Sequence, residues 1–371
     1  MSPVNTSLKR DEDLIPILRR LYESYGYKRF KMSKFEEYDL YLENKAFLRN
    51  ANIITVTDPA GRLLALKPDI TLSIVKNVRE EALPQKVYYS ENIYLADSEA
   101  GEIKEAKQIG LEYIGKLDTR ALGEILLLAA ESLENIDSDY KIALSHMGFV
   151  SVIIDNCGIP QKVKSKAIAL ISEKNSHGLR ALASECSLAE SDTERLCCLI
   201  SVCGSLCKAI ADTKELVCDS VSEEFYNELV ELSDIVSGFG LEDKFILDFS
   251  VLNDVNYYNG LVFQGFLSGV PKSVLSGGRY DNLVQRFGCD TSAAGFAVYI
   301  DLLRQYTRLD DEYDCDILML YSADCNAFDV LLKQKEFANE GKCCMAFLEE
   351  PKAIKYRTKA VFSADGSLKY E

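Results

Sequence analysis

Tyr257-Tyr258-Asn259-Gly260-Leu261-Val262-Phe263-Gln264-Gly265-Phe266, followed by Ser268-Gly269-Val270-Pro271, Ser273-Val274-Leu275 and the pair Gly277-Gly278, is the stretch on which the fold turns. Its aromatic and β-branched residues predict a strand, the Gly and Pro cluster a turn, and the return to Gly277 a second strand, which makes a hairpin. A helix follows, with Tyr280, Leu283, Val284 and Phe287 on one face and Gly288 at the C-terminal cap position. Gly295 to Val298 and a helix through Tyr306 complete this part of the core.

Upstream, Leu14, Ile15, Ile17, Leu18, Leu21 and Tyr22 recur at helical spacing and Gly26 stops them, so the chain opens on an amphipathic helix. Strand character follows at Phe30 to Phe35 and Ile53 to Val56, and at Leu63 to Leu66 beyond the turn Asp58-Pro59-Ala60-Gly61. Ile70 to Val78 and Arg120 to Asn135 read as helices. Between them Val87 to Leu95 and Gln108 to Gly115 read as two strands joined by a polar loop, so the core is mixed, with antiparallel pairing. From Val150 to Phe239 the pattern is helical throughout, and Lys244 to Phe249 is the next strand. After the acidic Asp310-Asp311-Glu312, a strand Cys315 to Tyr321, a helix Ala327 to Glu340 and strand-like Cys344 to Phe347 predict a small α/β unit. The expected class is α+β, with a core of 1–149 and 240–309, a helical insertion of 150–239 and a C-terminal unit of 310–371.

With 47% hydrophobic and 27% charged residues, 371 residues suffice for a large core. The longest apolar run, Ala121 to Ala130, falls short of the roughly 20 residues that cross a bilayer. Met1 to Arg10 carries no apolar leader before Asp11-Glu12-Asp13, so a cytoplasmic chain without membrane contact is expected. The twelve cysteines are scattered and read as reduced, mostly buried thiols. Cys197, Cys198, Cys203 and Cys207 lack metal-ligand spacing and read as helix packing. A net charge of −16 with no long basic run argues against nucleic-acid binding.

Three segments carry a resemblance. Leu66-Lys67-Pro68-Asp69-Ile70-Thr71 is similar to a Leu-Arg-Pro-Glu-x-Thr segment of class II aminoacyl-tRNA synthetases. Tyr88 to Gly115 aligns with their second motif and ends in Gln108-Ile109-Gly110-Leu111-Glu112-Tyr113-Ile114-Gly115. Asn256 to Phe263 together with Gly277-Gly278-Arg279-Tyr280-Asp281 resembles the signatures of the histidyl branch. Leu144-Ser145-His146-Met147-Gly148 and Ala294-Gly295-Phe296-Ala297 add shorter matches. Over about residues 10 to 305 the chain thus resembles histidyl-tRNA synthetase and its biosynthetic paralogue, the regulatory subunits of ATP phosphoribosyltransferase. The resemblance implies a class II synthetase-like sheet, mixed and mainly antiparallel, flanked by helices.

Amino-acid activation needs fixed cations around a triphosphate and a carboxylate. At the three matching arginine positions stand Tyr94, Asn253 and Leu302. At about 10²- to 10³-fold per lost donor, no useful activation would survive. Asp97, Glu99, Glu102 and Glu105 outnumber Lys104 and Lys107 in the loop that handles ATP and tRNA in synthetases, which repels phosphates.

An amino-acid pocket remains. Residues two and four apart share a face of a strand, so Gln108 and Glu112 point together with Gly110 leaving space between them. By resemblance, Asp69, Thr71 and Gln108 would hold a ligand ammonium, Glu112 and Tyr258 an imidazole, and Tyr257 and Tyr280 would be walls. Asn253 replaces the arginine that anchors the ligand carboxylate. Arg279 and Asp281 read as a turn-holding pair, and His146 and His177 as structural or exposed, with no metal or nucleophile motif beside them.

The implied role is that of a subunit without catalysis or cofactor. It would activate a short-form ATP phosphoribosyltransferase catalytic subunit and help transmit feedback by L-histidine. No phosphate-cradling G-x-x-x-x-G-K-[ST] loop is present. A divergent synthetase or adenylate-forming ligase, distinguished by ATP binding, and an interaction module without ligand, distinguished by failure to bind any amino acid, are the other readings. The C-terminal unit resembles a shortened anticodon-binding domain, yet the charge balance predicts no tRNA binding. Self-association is expected, although Ser33 stands where the family has the proline of its dimer-building segment.

Overall fold

The computed structural model describes residues 11–48, 53–79, 84–97, 102–252, 257–306 and 313–371. Asn253, Asn256, Glu99, the 310–312 linker and the first ten residues lie outside these. Contacts divide the chain into a large unit within Arg10–Thr307 and a small one within Arg308–Glu371.

The large unit is built on a nine-stranded sheet in the order Lys28–Arg29, Gln85–Asp97, Glu102–Gly115, Ser292–Tyr299, Leu275–Arg279, Leu261–Leu267, Tyr140–His146, Phe245–Asp248 and Cys203–Ser205. Only the pairings of Lys28–Arg29 with Gln85–Asp97 and of Tyr140–His146 with Phe245–Asp248 are parallel. The hairpin read from Tyr257 onward is the pairing of Leu261–Leu267 with Leu275–Arg279, with Phe263 opposite Gly277. This is a class II synthetase-like fold, a mixed and mainly antiparallel sheet flanked by helices.

One face of the sheet is covered by Asp11–Ser24 and Thr119–Glu134, whose apolar residues, such as Leu14, Leu18 and Tyr22 at helical spacing, are buried against it. Asp118 caps the second of these by accepting from Ala121 N at 2.8 Å. Ser220–Gly238 packs on Thr119–Glu134 and on Met147–Asn156, and it begins with a capping box between Asp219 and Ser222. Against the other face a core forms from Tyr41, Ala65, Leu72, Tyr89, Val262 and Leu283 among others. It includes a small antiparallel sheet, Phe35–Glu37, Leu63–Leu66 and Thr55–Thr57, and the helix Thr71–Val75.

Several expectations need correction. No strand runs from Phe30 to Phe35, because 30–34 leaves the large sheet after Arg29 and joins the small one at Phe35, where its hydrogen-bonding partners change. The stretch 150–239 is not purely helical, since Cys203–Ser205 pairs with Phe245–Asp248 and extends the sheet. None of the cysteines forms a disulfide, but only Cys157, Cys197, Cys289 and Cys315 are buried. Cys198, Cys203, Cys207, Cys218 and Cys343 are exposed.

The small unit holds a four-stranded sheet in the order Cys344–Phe347, Cys315–Tyr321, Tyr356–Phe362 and Leu368–Tyr370, the last antiparallel. The helix Ala327–Asn339 buries Val330 and Phe337 against Ile317, Met319 and Phe362. The two C-terminal strands were not evident in the sequence, where Arg357, Lys359, Lys369 and the turn at 363–367 break the apolar pattern.

Candidate functional site

Glu102–Gly115 supplies the floor of a cavity of about 310 Å³. Strand alternation turns Gln108, Gly110 and Glu112 to one side, and the helix Thr71–Val75 with its preceding residues forms the opposite rim. Asp69, Thr71, Gln108, Glu112, Tyr257, Tyr258 and Tyr280, from four separate stretches of sequence, all line this one cavity.

Glu112 is its chemical centre. It is 2% exposed, and its two oxygens accept from Thr71 Oγ1 at 2.8 Å and from the Tyr280 hydroxyl at 2.6 Å. Burial pushes its carboxyl up to about 8, against the lowering effect of these two donors and with the negative charge of Asp69 adding to the rise. Near neutral pH it is therefore largely protonated. Asp69 accepts from Leu72 N at 2.8 Å and so holds the start of the rim helix. Tyr257 packs between neighbours with its ring tilted against both, 4.8 Å from that of Tyr258 and 5.7 Å from that of Tyr280.

Glycines make this geometry possible at two points. Gly295 lies opposite Glu112 in register, and a Cβ there would come 1.8 Å from Glu112 Oε2. Gly110 lies opposite Tyr89, and its Cβ would come 2.6 Å from the Tyr89 hydroxyl.

Sequence reasoning missed Phe47, Tyr89, Ser276 and Tyr299, which also line the cavity. Tyr299 could have been found by counting in twos from Gly295, and it pairs with Gln108 across the ladder. Its hydroxyl meets Ser276 Oγ. Tyr89 carried no comparable signal, because its role depends on the register of two strands.

The positions read as replaced cations are occupied as follows. Tyr94 pairs with Glu105 across the strands and donates to it at 3.0 Å. Leu302 is half-buried on the helix Ile300–Tyr306. Lys67 is fully buried and turns its ammonium to Glu91 at 3.1 Å, with burial holding its pKa below the usual lysine value. Among the described residues no lysine, arginine or histidine lines the cavity.

Arg279 and Asp281 stand outside the cavity lining. Arg279 Nε donates to Asp281 at 2.8 Å, and the other Asp281 oxygen accepts from Ala293 N at 3.1 Å, so the pair ties the strand-to-helix turn to its neighbour. His146 Nδ1 accepts from Phe149 N at 3.0 Å and caps Met147–Asn156. That leaves the proton on Nε2, which reaches Glu228 at 3.1 Å. Burial pushes the Glu228 carboxyl up, but the hydrogen bond from His146, aided by the charge of Arg279, holds it below its ordinary value. His177 is exposed. No group of side chains able to hold a metal occurs among the described residues, and none of their helices is long and apolar enough to cross a membrane.

Comparison with known proteins agrees with this architecture. An ATP phosphoribosyltransferase regulatory subunit from Clostridium acetobutylicum is 28% identical across 94% of this chain and 90% of its own length. A crystal structure of an ATP phosphoribosyltransferase regulatory subunit/histidyl-tRNA synthetase from Bacillus halodurans superposes with a TM-score of 0.79 at 23% identity, covering 98% of this chain and 97% of that one. A chain of an ATP phosphoribosyl transferase complex from Thermotoga maritima gives 0.63 at 17% identity, over 78% of this chain and 97% of that one. At such identities the two structures establish a shared fold. The model of the family described as histidyl-tRNA synthetase matches residues 5–303, most of the sequence, and the chain belongs to that family.

Proposed function

We propose that this chain is a regulatory subunit of ATP phosphoribosyltransferase, without catalysis of its own, which activates a short catalytic subunit in the first step of histidine biosynthesis and relays feedback by L-histidine. The observation that carries this reading is the contrast within one site. Acids and tyrosines line an amino-acid-sized cavity, while Tyr94 and Leu302 occupy two positions where activation chemistry requires cations, and Asn253 in the sequence occupies the third. The likeness to regulatory subunits over nearly the whole chain supports the same reading.

In this reading Asp69, Thr71 and Gln108 surround the ligand ammonium, Glu112 and Tyr258 meet the imidazole, and Tyr257 and Tyr280 form the walls. The chain self-associates and does not bind tRNA, the small unit included. Residues 150–239 act as an insertion into the core formed by 1–149 and 240–309, and residues 310–371 act as a separate unit.

Two assays test it together. Histidine-dependent exchange between ATP and pyrophosphate should be absent, and the chain should co-elute with the short catalytic subunit in size-exclusion chromatography. Measurable exchange, or separate elution at micromolar concentrations, contradicts the proposal.

A further inference from the structure

We propose that Arg286, which does not itself line the cavity, is a positioning residue for the cavity's ligand: it latches residues 43–48 in the conformation that brings Phe47 and Leu48 to the lining. This rests on the reading of the cavity as an amino-acid site.

The latched segment has little regular structure of its own to hold it. The helix Tyr38–Glu43 ends at Asn44, and Lys45–Phe47 is one 3₁₀ turn. That turn is closed by Phe47 N donating to Asn44 O at 2.9 Å and by Leu48 N donating to Lys45 O at 3.1 Å. A single turn fixes several backbone dihedrals for few hydrogen bonds and is unstable alone. Phe47 and Leu48 are nonetheless buried and line the cavity, and the rings of Phe47 and Tyr257 meet edge to face with centroids 6.5 Å apart.

Arg286 supplies the missing support. Its Nε donates to Asn44 Oδ1 at 2.8 Å and its Nη2 to Glu43 O at 2.5 Å, while the guanidinium carbon lies 5.7 Å from the centroid of the Phe47 ring. Both hydrogen bonds are charge-assisted, and the planar fork serves two acceptors at once in a way that an ammonium does not. The ring contact adds a cation–π attraction. Asn44 passes the constraint along the chain, because its amide also donates to Leu40 O at 2.7 Å and its main-chain oxygen takes the Phe47 N–H. Arg286 is the last residue of the helix Asp281–Arg286, which starts directly after Tyr280. One short helix thus carries the Tyr280 wall at its beginning and holds the Phe47 wall from its end. A wall already in place when the ligand arrives spares the cost of ordering it on binding, so affinity depends on the latch.

Isothermal titration calorimetry of the full chain with L-histidine, at a temperature where every variant is folded, compares wild type, Arg286→Lys and Arg286→Ala. Arg286→Ala should weaken binding about tenfold, the scale of one charge-assisted hydrogen bond. Arg286→Lys, which keeps the charge without the fork, should fall between the two. Lowered thermal stability with unchanged affinity would make Arg286 a structural residue only and overturn the proposal. A second measurement needs no ligand. The sequence contains no tryptophan, so the indole in Phe47→Trp reports on this wall alone, and its emission should shift towards that of a solvent-exposed indole when Arg286→Ala is added. An unshifted emission overturns the latch. Failure of the wild-type chain to bind L-histidine overturns the cavity reading and the claim of ligand positioning with it.

Discussion

Glu112 and Gly295 face each other across two antiparallel strands, and the carboxyl group of the first occupies the space where a side chain of the second would begin. Gly295→Ala should therefore destabilise the protein by about 1–3 kcal/mol through overpacking and abolish ligand binding in the cavity. Gly238→Ala, at the end of Ser220–Gly238 where nothing lies within 4 Å of the added carbon, should be neutral or stabilising by about 0.5–1 kcal/mol. Urea denaturation of both variants checks the pair, and equal effects would contradict the packing account.

The buried carboxyl of Glu112 predicts a pH dependence. Its folded pKa is raised from 4.5 to about 8, so the folded state holds a proton that the unfolded state has released. The resulting stability is present in full below about 4.5 and is lost as pH rises through 8. Asp69 and the hydroxyls of Thr71 and Tyr280 face the same group. Glu112→Gln cannot ionise, so its stability relative to wild type should improve between pH 5 and pH 9, by on the order of a few kcal/mol. Thermal unfolding at the two pH values measures this, and a difference that does not move with pH would contradict it.

His146 predicts a graded response. It caps Met147–Asn156 through Nδ1 and meets Glu228 through Nε2. His146→Ala loses both contacts and should cost about 1–3 kcal/mol. His146→Asn retains a capping acceptor and should cost less. Equal losses in chemical denaturation would mean that capping is not what His146 contributes.

The Lys67 ammonium, fully buried against Glu91, should make the pair asymmetric under mutation. Glu91→Gln leaves a buried cation without its counter-charge and should destabilise by on the order of 3 kcal/mol, whereas Lys67→Met replaces the stem with an apolar one of similar size and should cost less. The double variant should cost less than the sum of the two single changes. A double-mutant cycle by denaturation reads all three terms.

What the sequence disclosed followed from local physics. Alternation along Gln108 to Gly115 correctly placed Gln108 and Glu112 on one face, and the turn at 268–271 announced the hairpin before any register was known. What stayed hidden depended on distant pairing. Cys203–Ser205 is three residues long and is a strand only because Phe245–Asp248 offers an edge. Tyr89 reaches the cavity because Gly110, far along the chain, makes room for it. Residues 30–34 carry a strand-like pattern but pass between two sheets. Cys197 and Cys198 are neighbours on Glu190–Ser201, one buried and one exposed, and which side of that helix faces solvent is set by the elements packed on it.

The central claim is that this chain regulates a reaction performed elsewhere. Its most direct test is the rate of phosphoribosyl-ATP formation by the short catalytic subunit from the same organism, with and without this chain, across a range of L-histidine concentrations. Strong activation by the chain, reversed as histidine rises, is the predicted result; a rate that the chain leaves unchanged at every histidine concentration would contradict the account.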